Sequence, residues 1–249
     1  LESIKSQIPI LSLIKKEFSS TNLFISTKSI KVNDLVSFLR AYENKVQFYL
    51  LDRIIKGGYL IADINLNFDK NGLIKKDYVI NGLVKEGKIS LLNSQKLEKI
   101  NFIFNIKDKI LNFQDLSLRF GNINLLSKNI LFKDNNKKYF VEGKMNSEKI
   151  SLTKDDLKNS FLMLDNYFNV DEINFESSNV FSFEINKNFK IENLKIKSEI
   201  DLYNLQTKNN FDLENFFPNI EDEIRLKDQK IKIDYNNKKL LIIGRGSLI

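Results

Sequence analysis

The strongest constraint on the fold is an alternation of apolar and polar residues that returns along most of the chain. Between Leu60 and Phe68 every second residue is apolar and, except for Ile61, the residues between them are Asn or Asp. A period of two places successive side chains on opposite faces of a β-strand. The sequence therefore predicts a strand with one dry face and one wet face. Its dry-face positions are Leu60, Ala62, Ile64, Leu66 and Phe68.

The residues after this strand predict a long hairpin. Asp69-Lys70-Asn71-Gly72 contains Asn and Gly, which adopt the positive φ angles of tight turns most readily. A second extended run is predicted from Leu73 to Val84, with a further reversal at Gly87. The same alternation returns farther along the chain and gives a second set of dry-face positions. These are Ile100, Phe102, Phe104 and Ile106.

Short helices are predicted to interrupt the strands. Asn33 or Asp34 caps a helix that runs to Tyr42, and Thr153 caps another that ends near Asp165, because apolar residues recur there at three- and four-residue spacing. Other segments are less regular. Residues 212–217 predict a further short helix, residues 46–55 fit a helix or a strand, and Asp115 interrupts the strand from Ile110 to Phe120 and predicts a bulge.

The predicted fold class is mainly β: long antiparallel strands in a curved, elongated sheet, an open β-groove, with two or three short helices. Residues 1–21 are predicted to form an N-terminal arm or flank, and residues 22–249 one continuous groove segment. The chain has only 2 Pro and 9 Gly, so no Pro-rich or Gly-rich linker divides it. Ile30-Lys31-Val32 and Ile150-Ser151-Leu152 each precede a predicted helix. This recurrence of a short apolar run followed by a helix indicates two weak repeats, about 22–146 and 147–249, or a chance match.

The composition argues against an enzyme. The chain has no Cys and no His, which removes the thiolate nucleophile, the commonest general base and the commonest metal ligands. Gly82 to Lys88 has the spacing of a phosphate-binding P-loop, but Ile89 replaces the required hydroxyl residue. The net charge of +7 comes mostly from scattered Lys, so no nucleic-acid partner is predicted. We expect no catalytic residue, no metal and no cofactor.

A sheet with one dry face has to hide that face from water. It can pack against a second sheet, close on itself, or curl into a trough whose apolar channel another molecule fills. Acyl chains suit such a channel. Two functions therefore stay open: a lipid-carrying groove, and a β-sandwich that serves as an interaction or structural module without lipid.

Several runs look like bacterial AsmA-like proteins of the YhdP and TamB kind. They are residues 30–35 (IKVNDL), residues 51–64 (LDRIIKGGYLIADI), the turn at 69–72, residues 78–84 (YVINGLV), and residues 200–205 (IDLYNL) with 216–218 (FFP). The resemblance covers about residues 22–249. It rests on repeated strand phrases and not on a catalytic motif.

The resemblance implies a bridge-like lipid-transfer protein of the bacterial cell envelope. Such a protein lies in the periplasm, is held in the inner membrane by an N-terminal anchor that is missing from this sequence, and carries phospholipid along a repeating β-groove toward outer-membrane components. It has no catalytic residues to transfer. The expected lipid-binding groove consists of the nine dry-face positions named above, from Leu60 to Phe68 and from Ile100 to Ile106.

Overall fold

The computed structural model describes residues 1–7, 21–42, 46–69, 71–90, 95–135, 137–160, 170–186, 188, 190–208, 223–236 and 238–248. Within these residues, thirteen strands form one antiparallel sheet that is not closed, accompanied by three short helices. The prediction of a mainly β protein with long antiparallel strands in an open sheet is confirmed.

The strands are β1 (Ser3–Gln7), β2 (Asn22–Ser26), β3 (Ile30–Lys31), β4 (Ile55–Asn67), β5 (Val79–Ser90), β6 (Lys96–Lys107), β7 (Ile110–Phe120), β8 (Ile123–Asp134), β9 (Lys138–Thr153), β10 (Val170–Asn186), β11 (Ile191–Lys208), β12 (Glu223–Asn236) and β13 (Lys239–Leu248). The helices are α1 (Val32–Tyr42), α2 (Val46–Ile54) and α3 (Lys154–Ser160).

The order of the strands in the sheet follows their order in the chain. It runs from β1 through β2 and β4 to β13, and β3 pairs separately with β4. The chain divides into two compact units, which are described separately below: unit 1 contains residues 1–118 and 128–141, and unit 2 contains residues 119–127 and 142–249. The two weak repeats stay a prediction.

The turn after β4 forms as the sequence predicts. One carboxylate oxygen of Asp69 accepts hydrogen bonds from the backbone N–H groups of Asn71 (2.8 Å) and Leu73 (2.9 Å). Gly72 has a φ of 79°, in the left-handed region that glycine adopts without strain. The side chain of Asp69 thus fixes the reversal that the Asn-Gly pair permits.

The predicted course of β5 is wrong at two places. The strand begins at Val79 and not at Leu73, because the backbone N–H of Lys75 bonds back to the carbonyl of Asn67 (2.8 Å) and a second turn follows. At Gly87 the chain does not reverse. The strand continues to Ser90 through a register shift between Val84 and Gly87.

The described helices form where helices were predicted or allowed, but only the predicted cap at Thr153 is confirmed. α1 begins at Val32, before the predicted cap residues Asn33 and Asp34, and the buried Oδ1 atom of Asn33 accepts no hydrogen bond within the described residues, so Asn33 does not cap the helix. Residues 46–54, which fitted a helix or a strand, are helical in α2. At the start of α3, the Thr153 hydroxyl accepts the N–H of Asp156 (3.4 Å), and the Asp156 carboxylate accepts the N–H (3.0 Å) and hydroxyl (2.8 Å) of Thr153. The predicted end near Asp165 and the predicted helix at 212–217 lie outside the described residues.

Two other expectations fall in described strands. The irregularity predicted at Asp115 is confirmed, since its φ is 49° within β7. Part of the predicted N-terminal arm, Ser3–Gln7, is a strand that pairs with β2. In unit 2 a small core lies beneath α3, where Ile123, Ile150 and the fully buried Leu152 are packed against Leu157 of the helix.

Candidate functional site

Four isoleucines in unit 1 form one row across the sheet. Directly opposed residues of antiparallel strands point to the same face. Ile64 of β4 faces Ile25 of β2 and Ile80 of β5, and Ile80 in turn faces Ile106 of β6. All four are half-buried. Neighbouring strands lie about 4.8 Å apart, so this isoleucine row is about 14 Å long.

A second apolar row runs parallel to the first, and a more deeply buried row lies between them. The second row consists of Leu60, Val84 and Phe102. The middle row consists of Ala62, Gly82 and Phe104. The three rows together are called the dry face of unit 1.

Phe104 is buried because its ring lies against the neighbouring strand. Its exposed fraction is only 9%. A Cβ atom built on Gly82 would lie 2.6 Å from the Cζ atom of Phe104, so the ring occupies the space that any other residue would fill with a side chain. The Phe104 ring therefore packs directly on the backbone of Gly82. The Phe102 ring meets Phe113 edge to face, with centroids 5.0 Å apart.

The other predicted groove residues lie toward the two ends of this face. Ile100 is buried opposite Gly87, and Leu66 faces Leu23 of β2. Phe68 lies just beyond the end of β4, in an isolated bridge with Ile74. The structure thus brings Leu60, Ala62, Ile64, Phe102, Phe104 and Ile106 together in three rows and places Leu66, Phe68 and Ile100 at their ends.

Sequence reasoning missed the members of these rows that come from β2 and β5. Ile80 and Val84 each stand next to another apolar residue, Val79 and Leu83, and Gly82 between them has no side chain, so β5 shows no clear period of two. Leu23 and Ile25 flank Phe24, so β2 reads as a continuous apolar run without a visible period of two.

The opposite face of the same strands carries a polar, hydrogen-bonded row and, beside it, an apolar row. The Ser26 hydroxyl donates to the Asp63 carboxylate (2.7 Å), and the Asn105 amide donates to the Asn81 amide oxygen (2.6 Å). These four residues occupy one row of β2, β4, β5 and β6. The neighbouring row on this face is apolar: Ile61, Leu83 and Ile103 are opposed across β4, β5 and β6, and Ile61 and Ile103 are 39% and 47% exposed. The predicted contrast between a dry and a wet face therefore holds only in part in unit 1.

Unit 2 also has an apolar row, but polar residues interrupt the same face. Phe181, Ile196, Tyr235 and Leu240 are opposed across β10 to β13. Next to this row, Asn179 faces the buried Ser198, and the hydroxyl groups of Ser147 and Ser177 lie 2.9 Å apart. Unit 1 therefore carries the more continuous apolar surface.

The remaining chemistry expected from the sequence is limited. Gly82 to Lys88 lies inside β5, so the predicted resemblance to a P-loop does not produce a loop. In the described part of the chain, no three acidic side chains are grouped so that they could hold a metal ion. None of the described helices is long and apolar enough to cross a membrane.

We compared the chain with protein-family models, with curated proteins and with solved structures, and none of the three comparisons found a match.

Proposed function

We propose that this chain is a segment of a lipid-transfer bridge, and that the dry face of unit 1 binds phospholipid acyl chains. The observation that supports this function best is the isoleucine row. Four large aliphatic side chains cross four strands of an open sheet and are only half-buried. A continuous apolar surface of this kind marks a binding site more often than a free surface.

The chemistry of the dry face suits an acyl chain. Its rows offer apolar contact without charged groups, and burying a large apolar side chain is worth about 1.5–3 kcal/mol. The row length of about 14 Å is close to half the thickness of a bilayer's hydrocarbon core, about 15 Å, which is the space one acyl chain occupies. One chain could therefore lie across β2, β4, β5 and β6.

The resemblance to AsmA-like proteins supplies the cellular part of the proposal. We infer a periplasmic protein that is anchored in the inner membrane and passes phospholipid toward outer-membrane components. It performs no chemical reaction, and its working surface is a line of apolar side chains.

A protein-interaction module is the second candidate, and β13 favours it. This strand lies at one end of the strand order, and the residues Leu240, Leu241, Ile242 and Ile243 are exposed although they alternate between both faces. An edge strand with these properties pairs readily with another strand. A sandwich in the strict sense needs two packed sheets, whereas the described strands form one.

Lipid extraction and uptake test the leading proposal. The purified chain is expected to carry phospholipid detectable by mass spectrometry and to take up a fluorescent phospholipid. Ile80→Asp places a charge in the isoleucine row and should reduce uptake at least tenfold. Asn81→Asp adds the same charge on the wet face of the same strand and should leave uptake unchanged. A folded, lipid-free protein that takes up no fluorescent lipid would refute the proposal.

A further inference from the structure

A buried hydroxyl on β11, that of Ser198, lacks a hydrogen-bond partner among the described residues. The exposed fraction of Ser198 is 8%. Its oxygen is not completely enclosed, so a molecule on this face of the sheet can reach it. Native proteins pair nearly all polar groups that they take out of water, with protein, water or a ligand. Ser198 therefore points to a partner outside the chain.

Three other polar side chains lie beside Ser198 on the same face of unit 2. Asn179 of β10 is directly opposite Ser198. Ser177 precedes Asn179 by two residues, so its side chain points to the same face. The hydroxyl oxygen of Ser147 on β9 lies 2.9 Å from that of Ser177. We call Ser147, Ser177, Asn179 and Ser198 the polar patch.

Main-chain hydrogen bonding between β9 and β10 explains part of the polar patch. The Ser147 hydroxyl accepts the backbone N–H of Ser177 (2.9 Å). The Asn179 amide donates to the Met145 carbonyl (3.2 Å) and to the Ser177 hydroxyl (3.0 Å). These side chains satisfy backbone groups, which is a structural role. Ser198 makes none of these bonds, so this role does not account for its hydroxyl.

The polar patch has hydrogen-bond donors left over after its internal bonds are made. The hydroxyl groups of Ser147 and Ser177 share one bond, so one of their two O–H groups stays available, whichever of them donates. The Ser198 hydroxyl is a second available donor. Ser177 and Ser198 are diagonal neighbours on adjacent strands, about 7–8 Å apart. The polar patch thus suits a ligand with two neighbouring acceptor oxygens.

Charged side chains are absent from the three rows of described residues that cross β10 to β13 at the polar patch. The ion pairs between β11 and β12 lie on the other face, such as Glu199 with Lys232 (2.8 Å). Since burying an unpaired charge is costly, a surface without charge favours neutral groups such as esters over phosphate. The rows, traced through opposed residues, are Phe181, Ile196, Tyr235 and Leu240; Asn179, Ser198, Ile233 and Ile242; and Ser177, Ile200, Ile231 and Gly244.

We propose that the polar patch binds the ester groups of a diacyl lipid. The two esters of such a lipid sit on adjacent carbon atoms of glycerol, and each carbonyl oxygen accepts hydrogen bonds without donating any. One carbonyl accepts the O–H of Ser198, and the other accepts the available O–H of the Ser147 and Ser177 pair. The row from Phe181 to Leu240 borders the polar patch, so the acyl chains that leave the esters meet apolar side chains.

This inference rests on the proposed function, because it names the class of lipid that unit 2 recognises. The dry face of unit 1 offers contact with acyl chains alone, whereas the polar patch recognises the linkage between the chains and glycerol. An ether-linked lipid has the same chains and headgroup but lacks the carbonyl oxygens. The polar patch therefore predicts a preference for ester-linked over ether-linked lipid.

Competition between matched lipids tests the polar patch. The full chain is incubated with equal amounts of a short-chain diacyl phosphatidylcholine and its dialkyl ether analogue, and the bound lipid is extracted and quantified by mass spectrometry. Ile80→Asp serves as the background, because it disables the acyl site of unit 1, which should have no preference. The lipid bound to this variant should be enriched at least fivefold in the ester form, since one hydrogen bond contributes about that factor.

A single hydroxyl deletion locates the preference. Ser198→Ala in the Ile80→Asp background should lower the enrichment about fivefold. It should unfold at the same temperature as its parent, because Ser198 has no hydrogen bond to a described residue to lose. The matched control is Ser182→Ala, which removes a hydroxyl from the opposite face of β10, where Ser182 is opposed to Lys195, and should keep the enrichment. Circular dichroism verifies that each variant is folded.

Three results would overturn the inference while leaving the proposed function of unit 1 intact. They are equal binding of ester and ether lipid by the Ile80→Asp chain, which would leave Ser198 to water, an ester preference that Ser198→Ala does not change, and no lipid on the Ile80→Asp chain when the unmodified chain carries lipid. An unmodified chain that binds neither lipid would instead refute the proposed function together with this inference.

Discussion

Gly82 provides the sharpest test of the packing in the dry face. A Cβ atom at this position would lie 2.5 Å from the carbonyl oxygen of Ile61 and 2.6 Å from the Cζ atom of Phe104, whereas real Cβ atoms essentially never approach closer than 3.0 Å. Gly82→Ala therefore forces β4 and the Phe104 ring away from β5. We expect the variant to be less stable although Ala is the better residue for most strands.

The magnitude follows from two opposing effects. Overpacking of this kind costs about 1–3 kcal/mol. Replacing Gly by Ala also restricts the unfolded chain, which stabilises the folded state by about 0.5–1 kcal/mol. The net loss should be about 1–2 kcal/mol, which lowers the thermal midpoint of a chain of this length by about 2–8 °C. Scanning calorimetry and urea unfolding both measure this difference.

Gly244 offers a matched control. It also lies within a strand, but a Cβ atom there would meet nothing within 4 Å. Gly244→Ala should therefore leave stability unchanged or raise it by up to about 1 kcal/mol. If Gly82→Ala behaves like Gly244→Ala, the ring of Phe104 does not rest on Gly82 and the middle row is packed differently.

A double-mutant cycle tests whether the Phe104 ring is the group that opposes a Cβ atom at position 82. Phe104→Ala alone should cost about 3–5 kcal/mol, the usual loss for a buried ring. If the ring opposes the new Cβ atom, the combined variant should lose about 1 kcal/mol less than the sum of the two single losses. Strictly additive losses would contradict a contact between the two positions.

Three further predictions concern unit 2. Thr153→Ala removes the cap of α3 and should lower the free energy of unfolding, measured with urea, by about 1 kcal/mol. An unchanged free energy of unfolding would contradict the cap. Hydrogen bonds from the backbone N–H of Thr153 and then from its hydroxyl lower the pKa of Asp156, so this carboxylate stabilises the fold above its unfolded pKa of 3.8 and loses that effect as the pH falls through its folded pKa. The difference in unfolding free energy between the unmodified chain and Asp156→Asn should therefore shrink between about pH 7 and pH 2. A difference that stays constant over this range would disprove the prediction. Leu241→Lys should reduce concentration-dependent association in light scattering by charging the edge strand β13, and undiminished association would show that β13 is not the contact.

The sequence predicts single strands of this protein better than it predicts their partners. The alternation from Leu60 to Phe68 and the cap at Thr153 are local, and both agree with the structure. Residues 46–54 stayed ambiguous because Val, Phe, Tyr, Leu and Ile satisfy either period. In the structure this segment is helical, and its Asp52 pairs with Arg40 of α1.

The candidate site depends on register, which a single strand does not encode. The isoleucine row exists because β2, β4, β5 and β6 are aligned so that their isoleucines face one another. Register shifts near Gly87, where Glu86 has a φ of 53° and Lys99 a φ of 49°, set that alignment on β5 and β6. Glu and Lys are not residue types that indicate a positive φ, so the packing of Phe104 on Gly82 could not be predicted.

The strand order has a consequence for how such a sheet forms and changes. Because strands that are consecutive in the chain are mostly neighbours in the sheet, nearly all pairing joins segments of short sequence separation. Short loops close at low entropic cost, so the sheet can grow by adding hairpins one after another as the chain emerges during synthesis. An added or deleted pair of strands also leaves the direction of every other strand unchanged. Genes for sheets with this topology can therefore lengthen or shorten by whole hairpins.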